Sequence, residues 1–472
     1  MSSPLRIVVV GAGIGGLGSA LALARAGHQI TLVERDDTPM PADIEGAFDW
    51  IRRGAPQVRH PHVFLGLART ILRDRFPDVL DALAAEGVNP TRMGSGPGMT
   101  LDEATLAVLT ADDDLQTLPC RRTTFEWVMR RKVLAEPGVD LRVGCGVAGV
   151  AVQEAVDGPP IVTGVHLEDG SFPAADVVVA TTGRRGDVPA WLAEHGLEVP
   201  ETSADCGVVY FSRFYRSDHD EDFGFRGGFG SGLIAGVIGA DAGTFSVTAV
   251  VDQEDRELRA HLGDSGRFDA TMRLLPELSD VAAVPSVPIN PVHCMTGLIN
   301  RHRSYRAADG SPIVVGLLAC GDAHTCTNPA YGRGQSLALL QATLIAEALD
   351  GSDDLEVVAR DYESACATLV EPWYHFSVLT DQMRSLATPG TAAGGGGGGG
   401  FDPAALFSGV GTDPKLVRTV ARVMNLLEPP TALIDLMPEM QAASLRRSRP
   451  TDGPRRPSRR RPTRDELLAV VA

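Results

Sequence analysis

Long apolar runs are absent from this chain. Nowhere in its 472 residues is there a stretch approaching the roughly 18 uninterrupted apolar residues of a membrane span, so none is expected. The first residues lack the charged-then-apolar order of a signal peptide, and ordered structure is expected from Leu5 onward. Cysteine is scarce and odd in number. Seven residues with no CxxC pair argue against a disulfide framework and against a metal site, and they suit a reducing cytoplasm. Lysine is reduced to Lys132 and Lys415, the other basic residues being arginines. Positive charge is in deficit overall. The net charge of −17 makes nucleic acid an unexpected partner for the body of the protein.

What the chain has begins at once. Leu5 to Val10 is a nearly continuous β-branched run, broken by Arg6, and reads as a buried strand. It leads into Gly11-Ala12-Gly13-Ile14-Gly15-Gly16. Leu17, Ala20, Leu21 and Ala24 then recur at helical spacing, Gly27 supplies a stop, and Gln29 to Val33 forms a second strand ending in Glu34-Arg35. A glycine fingerprint inside such a βαβ unit is the context in which a dinucleotide is bound. Gly11 allows the tight turn, Gly13 lets backbone approach a pyrophosphate, and Gly16 lets the helix pack on the strand. Unpaired N–H groups at the helix start favour the phosphates. Glu34 stands where an acidic side chain accepts from ribose hydroxyls, and its charge disfavours a 2′-phosphate, so NAD or FAD is expected rather than NADP.

A second glycine-bearing segment lies about 300 residues on. Ile313 to Ala319 reads as a buried strand and runs into Gly321-Asp322-Ala323-His324; Asn328-Pro329-Ala330-Tyr331-Gly332-Arg333-Gly334-Gln335-Ser336 then opens a helix through Ala348. The two segments, in this order, resemble the two ends of a flavin site in the FAD-dependent monooxygenase superfamily, of para-hydroxybenzoate-hydroxylase type. The resemblance implies FAD rather than NAD. It implies that Asp322 bonds the ribityl chain, and that Pro329 and the amides from Gly332 through Gly334 and Gln335 meet the flavin pyrimidine edge. Two intermediate segments fit. Cys120-Arg121-Arg122 precedes a helical stretch through Leu134, and the resemblance implies that one of the two arginines contacts FAD, Arg121 being chosen and Arg122 the alternative. Ala175 to Ala180 reads as a strand ending in Thr181-Thr182-Gly183. Aromatic hydroxylases of the superfamily usually carry Asp-Gly there; Thr182 replaces that Asp and weakens direct flavin reduction by NADPH.

The resulting expectation is an α/β protein. A Rossmann-like FAD-binding lobe with a parallel sheet is assembled from 1–80, 119–183 and 295–350. A β-rich substrate lobe is inserted over 184–294. A C-terminal helical segment spans 351–445, with a Gly-rich linker at 394–400. Residues 446–472, with nine arginines between Arg446 and Arg464, read as a disordered tail.

The loop Arg52-Arg53-Gly54-Ala55-Pro56-Gln57-Val58-Arg59-His60-Pro61-His62 resembles that of flavin epoxidases and tailoring oxidoreductases of polyketide pathways. Arg59, His60 and His62 are its candidate catalytic residues, with Gln57 beside them. His60 and His62 have no evident third ligand, so no metal is expected. The resemblance implies oxygen transfer from O2, through a flavin C4a-hydroperoxide, to a hydrophobic secondary metabolite. Epoxidation stands slightly ahead of ring hydroxylation. NAD(P)H would supply electrons, directly or through a partner flavin reductase. Three alternatives remain: a flavin-dependent reductase or dehydrogenase, a halogenase, and a non-catalytic flavin-binding interaction protein. The tryptophan-halogenase type is disfavoured, because Trp50 has no partner tryptophan nearby and no lysine precedes Lys132.

Overall fold

The structure is a computed structural model. It describes residues 3–92, 103–156, 158–218, 223, 225–230, 232–387, 413–447 and 460–471. The glycine run 394–400 and tail residues 448–459 lie outside the described residues.

Five parallel strands form the central sheet, in the order Leu317–Ala319, Val177–Ala180, Arg6–Val10, Gln29–Glu34 and Val139–Val143. Strands buried on both faces need apolar side chains on both, and this sheet has them. Ile7 and Val9 pack under the helices Ile14–Arg25, Arg122–Ala135 and Arg333–Gly351. Val8 and Val10 pack on the opposite side with Val150, Val165 and Trp191. The strand expected over 313–319 joins the sheet only at Leu317–Ala319. The helix expected from Ser336 begins earlier, at Arg333, directly after Gly332 in the left-handed region at φ 65°.

The inserted lobe is a six-stranded antiparallel sheet. Phe225–Gly230, Leu233–Gly239, Thr244–Asp252 and Val208–Arg216 run side by side, and Val287–Pro288 and His293–Met295 both pair with Val208–Arg216. Alternation sorts its faces. Val209, Phe211, Ala235, Val237, Val247, Ala249 and Val251 face a core closed by the helices Arg256–Leu262 and Ser265–Leu274. The other face looks toward the parallel-sheet half.

Helices Leu355–Leu369, Glu371–Ala387, Pro414–Met424 and Thr431–Arg447 follow. Pro372 starts the second of these rather than interrupting one long helix, since its missing N–H is harmless in a first turn. Trp373, Leu416, Val420, Val423 and Leu436 bury together with Leu65 and Leu337, fastening these helices to the parallel-sheet half.

The expectation of a disordered tail over 446–472 fails for residues 460–471. Arg464–Leu468 is a short helix capped reciprocally by Thr463 and Glu466. Leu467 is fully buried in the core of the antiparallel lobe. Arg464 pairs with Asp255 and, at 3.2 Å, with Glu257. One buried leucine and matched charges order a segment whose composition alone reads as disordered.

Candidate cofactor and substrate site

The first glycine segment forms its turn because side chains would not fit. A Cβ on Gly16 would stand 1.8 Å from the Gly11 carbonyl oxygen, and one on Gly11, itself at φ 102°, would stand 2.7 Å from that of Thr181. Gly13 is different. Nothing but the Arg122 guanidinium comes within 4 Å of its missing Cβ, at 3.8 Å, leaving open space at the start of Ile14–Arg25. No side chain caps that helix start. Its N–H groups therefore face a cavity where an anion would be stabilised.

The cavity has a volume of about 2720 Å³. That far exceeds the about 300–1,000 Å³ of a site for one small molecule, so a dinucleotide and a substrate fit together. Gly13, Ile14, Gly15, Arg35, Arg122 and Gly183 line it. So do Asp322, Pro329, Gly332, Gly334 and Gln335. Gln57, His60 and His62 lie where it meets the antiparallel sheet, represented by Tyr210, Ser212 and Thr248.

Burial raises the carboxyl pKa of Asp322, against the pull of Arg122, Arg184 and Arg301. The flavin loop is held from behind. Asn328 caps Pro329–Tyr331 through Ala330 N–H at 2.9 Å, accepts from Tyr210 Oη at 2.9 Å, and donates to Asp381 at 2.8 Å. Asn300 also donates to Asp381 at 2.8 Å. Helix Glu371–Ala387, the antiparallel sheet and the loop thus share one buried polar network. Such a network rigidifies when every member is satisfied.

Three of the expected site residues, Arg121, Glu34 and Arg59, do not line the cavity. Arg121 does not reach the cavity. It is buried against Asp241, whose Oδ2 accepts from its Nε and Nη2 at 2.9 and 2.6 Å and whose Oδ1 accepts from its backbone N–H at 2.7 Å. The next residue, Arg122, lines the cavity and pairs with Glu126 at 2.7 Å. Glu34 is also turned away. Its carboxylate accepts from the N–H groups of Ala12 and Asp36, each at 3.0 Å, and from Arg52 at 3.3 Å. Arg52 was part of a loop motif rather than a site candidate. It sits buried among Glu34, Asp36 and Glu126, so the acidic end of the second strand is neutralised from within the protein. Arg35, its neighbour, does line the cavity.

The three candidate catalytic residues separate. Arg59 closes a short 3-10 turn and does not line the cavity. His60 and His62 do. His60 is 7% exposed, its Nδ1 lies 3.0 Å from Ser212 Oγ, and burial with the neighbouring His293 lowers its pKa to about 4. His62 Nδ1 donates to the His60 carbonyl oxygen at 2.8 Å, and burial beside Arg122 lowers its pKa to about 3. Both rings are neutral at pH 7. Among the described residues no cluster of histidine, cysteine and carboxylate side chains could hold a metal ion.

The residues fit a bound FAD. The cradle at Gly13 is one a Cβ would enter, and Thr182 Oγ1 and Thr327 Oγ1, both at the cavity, are buried without a partner. Buried hydroxyls in that state are ready for a polar ligand. Thr182 ends one of the strands singled out in the sequence and Thr327 directly precedes Asn328, but nothing in a linear pattern marks a hydroxyl as unpaired.

Comparison with known proteins agrees with this geometry. Residues 6–98 match the family model described as FAD dependent oxidoreductase. No curated protein sequence matches the chain. Solved structures do. The p-nitrophenol 4-monooxygenase PnpA of Pseudomonas putida DLL-E4 is 19% identical with a TM-score of 0.60, covering 91% of this chain and 100% of its own. PqsL of Pseudomonas aeruginosa, described as "a probable FAD-dependent monooxygenase", is 15% identical with a TM-score of 0.60, covering 80% and 96%. A triple mutant of the flavin-dependent brominase Bmp2 is 14% identical with a TM-score of 0.58, covering 94% and 100%. No helix among the described residues is long and apolar enough to cross a membrane. Residues 6–98 are thus similar to the FAD dependent oxidoreductase family, and the chain shares its fold with these solved structures.

Proposed function

We propose that this protein is an FAD-dependent monooxygenase that inserts one oxygen atom from O2 into a hydrophobic small molecule. One observation carries the reading. A single cavity joins the glycine cradle at Gly13, the Asp322 and Gly332–Gln335 segment, and the open face of the antiparallel sheet. FAD bound there would supply the activation of oxygen. Arg122 and the start of Ile14–Arg25 would hold its pyrophosphate, and Asp322 its ribityl chain. The start of Arg333–Gly351 would favour negative charge on the reduced ring. The chain's own part in the reaction is then positioning and water exclusion. Ile234, Ile238, Val250 and Tyr210 supply an apolar wall for the substrate.

Alkene epoxidation and ring hydroxylation both suit this wall. Electrons come from NAD(P)H, directly or through a flavin reductase. Halogenation is the weaker reading. Neither lysine of the chain, Lys132 or Lys415, lines the cavity.

The test is mass spectrometry of products formed under 18O2 with NADPH, with and without added flavin reductase, across a set of phenols and terminal alkenes. Incorporation of one labelled oxygen is expected. FAD-loaded protein that oxidises NADPH but labels no product would turn the assignment to a reductase or dehydrogenase.

A further inference from the structure

The cavity-facing side of the antiparallel sheet is not flat. Its cross-strand rows follow from the register. One row is Tyr210, Val250, Ile234; the next is Ser212, Thr248, Gly236, Gly227; the third is Phe214, Ser246, Ile238. Residues two apart on a strand share a face, so the three rows lie side by side on the same surface. The first row is bulky, the middle row is small, and Ile238 is the third row's bulky residue at the cavity, with Ser246 beside it. Two glycines paired across the strands at Gly227 and Gly236 empty one end of it. All four residues of the middle row line the cavity. The sheet therefore carries a trough.

The other end of the trough is polar. Ser212 Oγ lies 2.9 Å from Thr248 Oγ1, across the strand pair, and 3.0 Å from His60 Nδ1. None of the four middle-row residues is charged. Because His60 is neutral, its two ring nitrogens hold opposite roles, one donor and one acceptor. Nδ1 is spent on Ser212. The ring lines the cavity, and Nε2 has no protein partner among the described residues. The chain His60–Ser212–Thr248 can run in either direction. If Nδ1 donates, Nε2 accepts and the Thr248 hydroxyl is free to donate; if Nδ1 accepts, Nε2 donates.

We propose that the trough is the substrate seat and that His60 Nε2 reads one uncharged oxygen function, a hydroxyl or carbonyl, on a flat and otherwise apolar substrate. This rests on the monooxygenase reading and narrows its substrate class. The flat body lies between the Tyr210 row and the Ile238 row over the two glycines. The oxygen function points to the His60 ring, which can serve as donor or acceptor without changing charge. His60 is thus a specificity residue, and Ser212 positions it.

The test uses 2-naphthol and naphthalene as paired probes, with binding read by equilibrium dialysis. The quantity of interest is the ratio of the two dissociation constants, because a generally damaged site moves both together. His60→Asn keeps an amide near the Nδ1 position, facing Ser212, but has nothing at Nε2. It is expected to weaken 2-naphthol relative to naphthalene at least tenfold. His60→Gln reaches the Nε2 position and is expected to restore most of the preference. Ser212→Ala, which unpins the ring, is expected to fall between. An unchanged ratio in His60→Asn, a Gln variant no better than Asn, or no measurable binding of either probe to the wild-type protein would overturn the proposal. Flavin content separates this outcome from failure of the parent reading. An unchanged ratio in protein that holds FAD rejects the His60 assignment alone, whereas absence of FAD rejects the monooxygenase.

Discussion

The two halves of this molecule build their parts of the cavity by different means. In the parallel-sheet half the site is made of backbone. Gly11, Gly13 and Gly16 matter because they lack side chains, and the groups offered to a ligand are N–H groups at helix starts. In the antiparallel half the site is made of side chains on one face of a sheet, and its shape comes from which rows are large and which small. Backbone sites leave a compact local signature, since a few consecutive residues must obey strict steric rules. Side-chain sites are assembled from residues far apart, such as His60 and Ser212, 152 positions apart. Reading the first half needs one segment; reading the second needs the register.

The comparison breaks most visibly at the glycines. Gly16→Val should abolish soluble expression of the folded protein, because its side chain enters the Gly11 backbone. Gly13→Ala should leave thermal stability nearly unchanged while greatly reducing the ratio of flavin to protein absorbance, because its Cβ enters open cavity. Equal losses of stability in the two would erase the distinction between a packing glycine and a cradle glycine.

The adjacent arginines sharpen it further. Arg121→Ala leaves Asp241 buried without its partner, and destabilisation of about 3–5 kcal/mol is expected in urea unfolding. Arg122→Ala should instead lower FAD affinity, roughly tenfold for one lost charge-assisted contact of about 1.5 kcal/mol.

Next in size is an acid effect. The unfolded chain protonates a histidine near pH 6.5, whereas His60 in the folded protein stays neutral down to about 4. Its contribution is therefore complete above pH 6.5 and is lost as pH falls from there to about 4. His60→Asn should show a shallower loss of urea midpoint over that window than the wild-type protein.

The smallest single effect is expected at Arg464 in the tail. Arg464→Ala removes a partly exposed pair with Asp255, worth about 1 kcal/mol or less after solvent screening. Leu467→Ala should cost more, about 2–3 kcal/mol, because that side chain is fully buried. A Leu467→Ala protein with unaltered stability would mean the segment is not docked.

How much of this was legible follows the same division. The βαβ unit, the second flavin segment and the β-rich character of the inserted lobe could be read directly, since periodicity and glycine placement are local. The choice between Arg121 and Arg122 could not. Both begin the same helix, and the decision is made by Asp241, 120 residues away. Glu34 had the right position for a ribose, but Arg52 folds back onto it. The tail misled by composition. Thr463 and Glu466 form a capping box three residues apart, just before Leu467 and Leu468, and that local signal outweighs the surrounding arginines.

The most direct measurement is the visible absorbance of the purified protein, followed by chromatographic identification of the nucleotide released on denaturation. One FAD per chain, recovered either as purified or after incubation with FAD, is the result expected from a cavity that joins the Gly13 cradle to the Asp322 segment. A colourless protein that takes up no FAD on reconstitution would contradict the account at its centre.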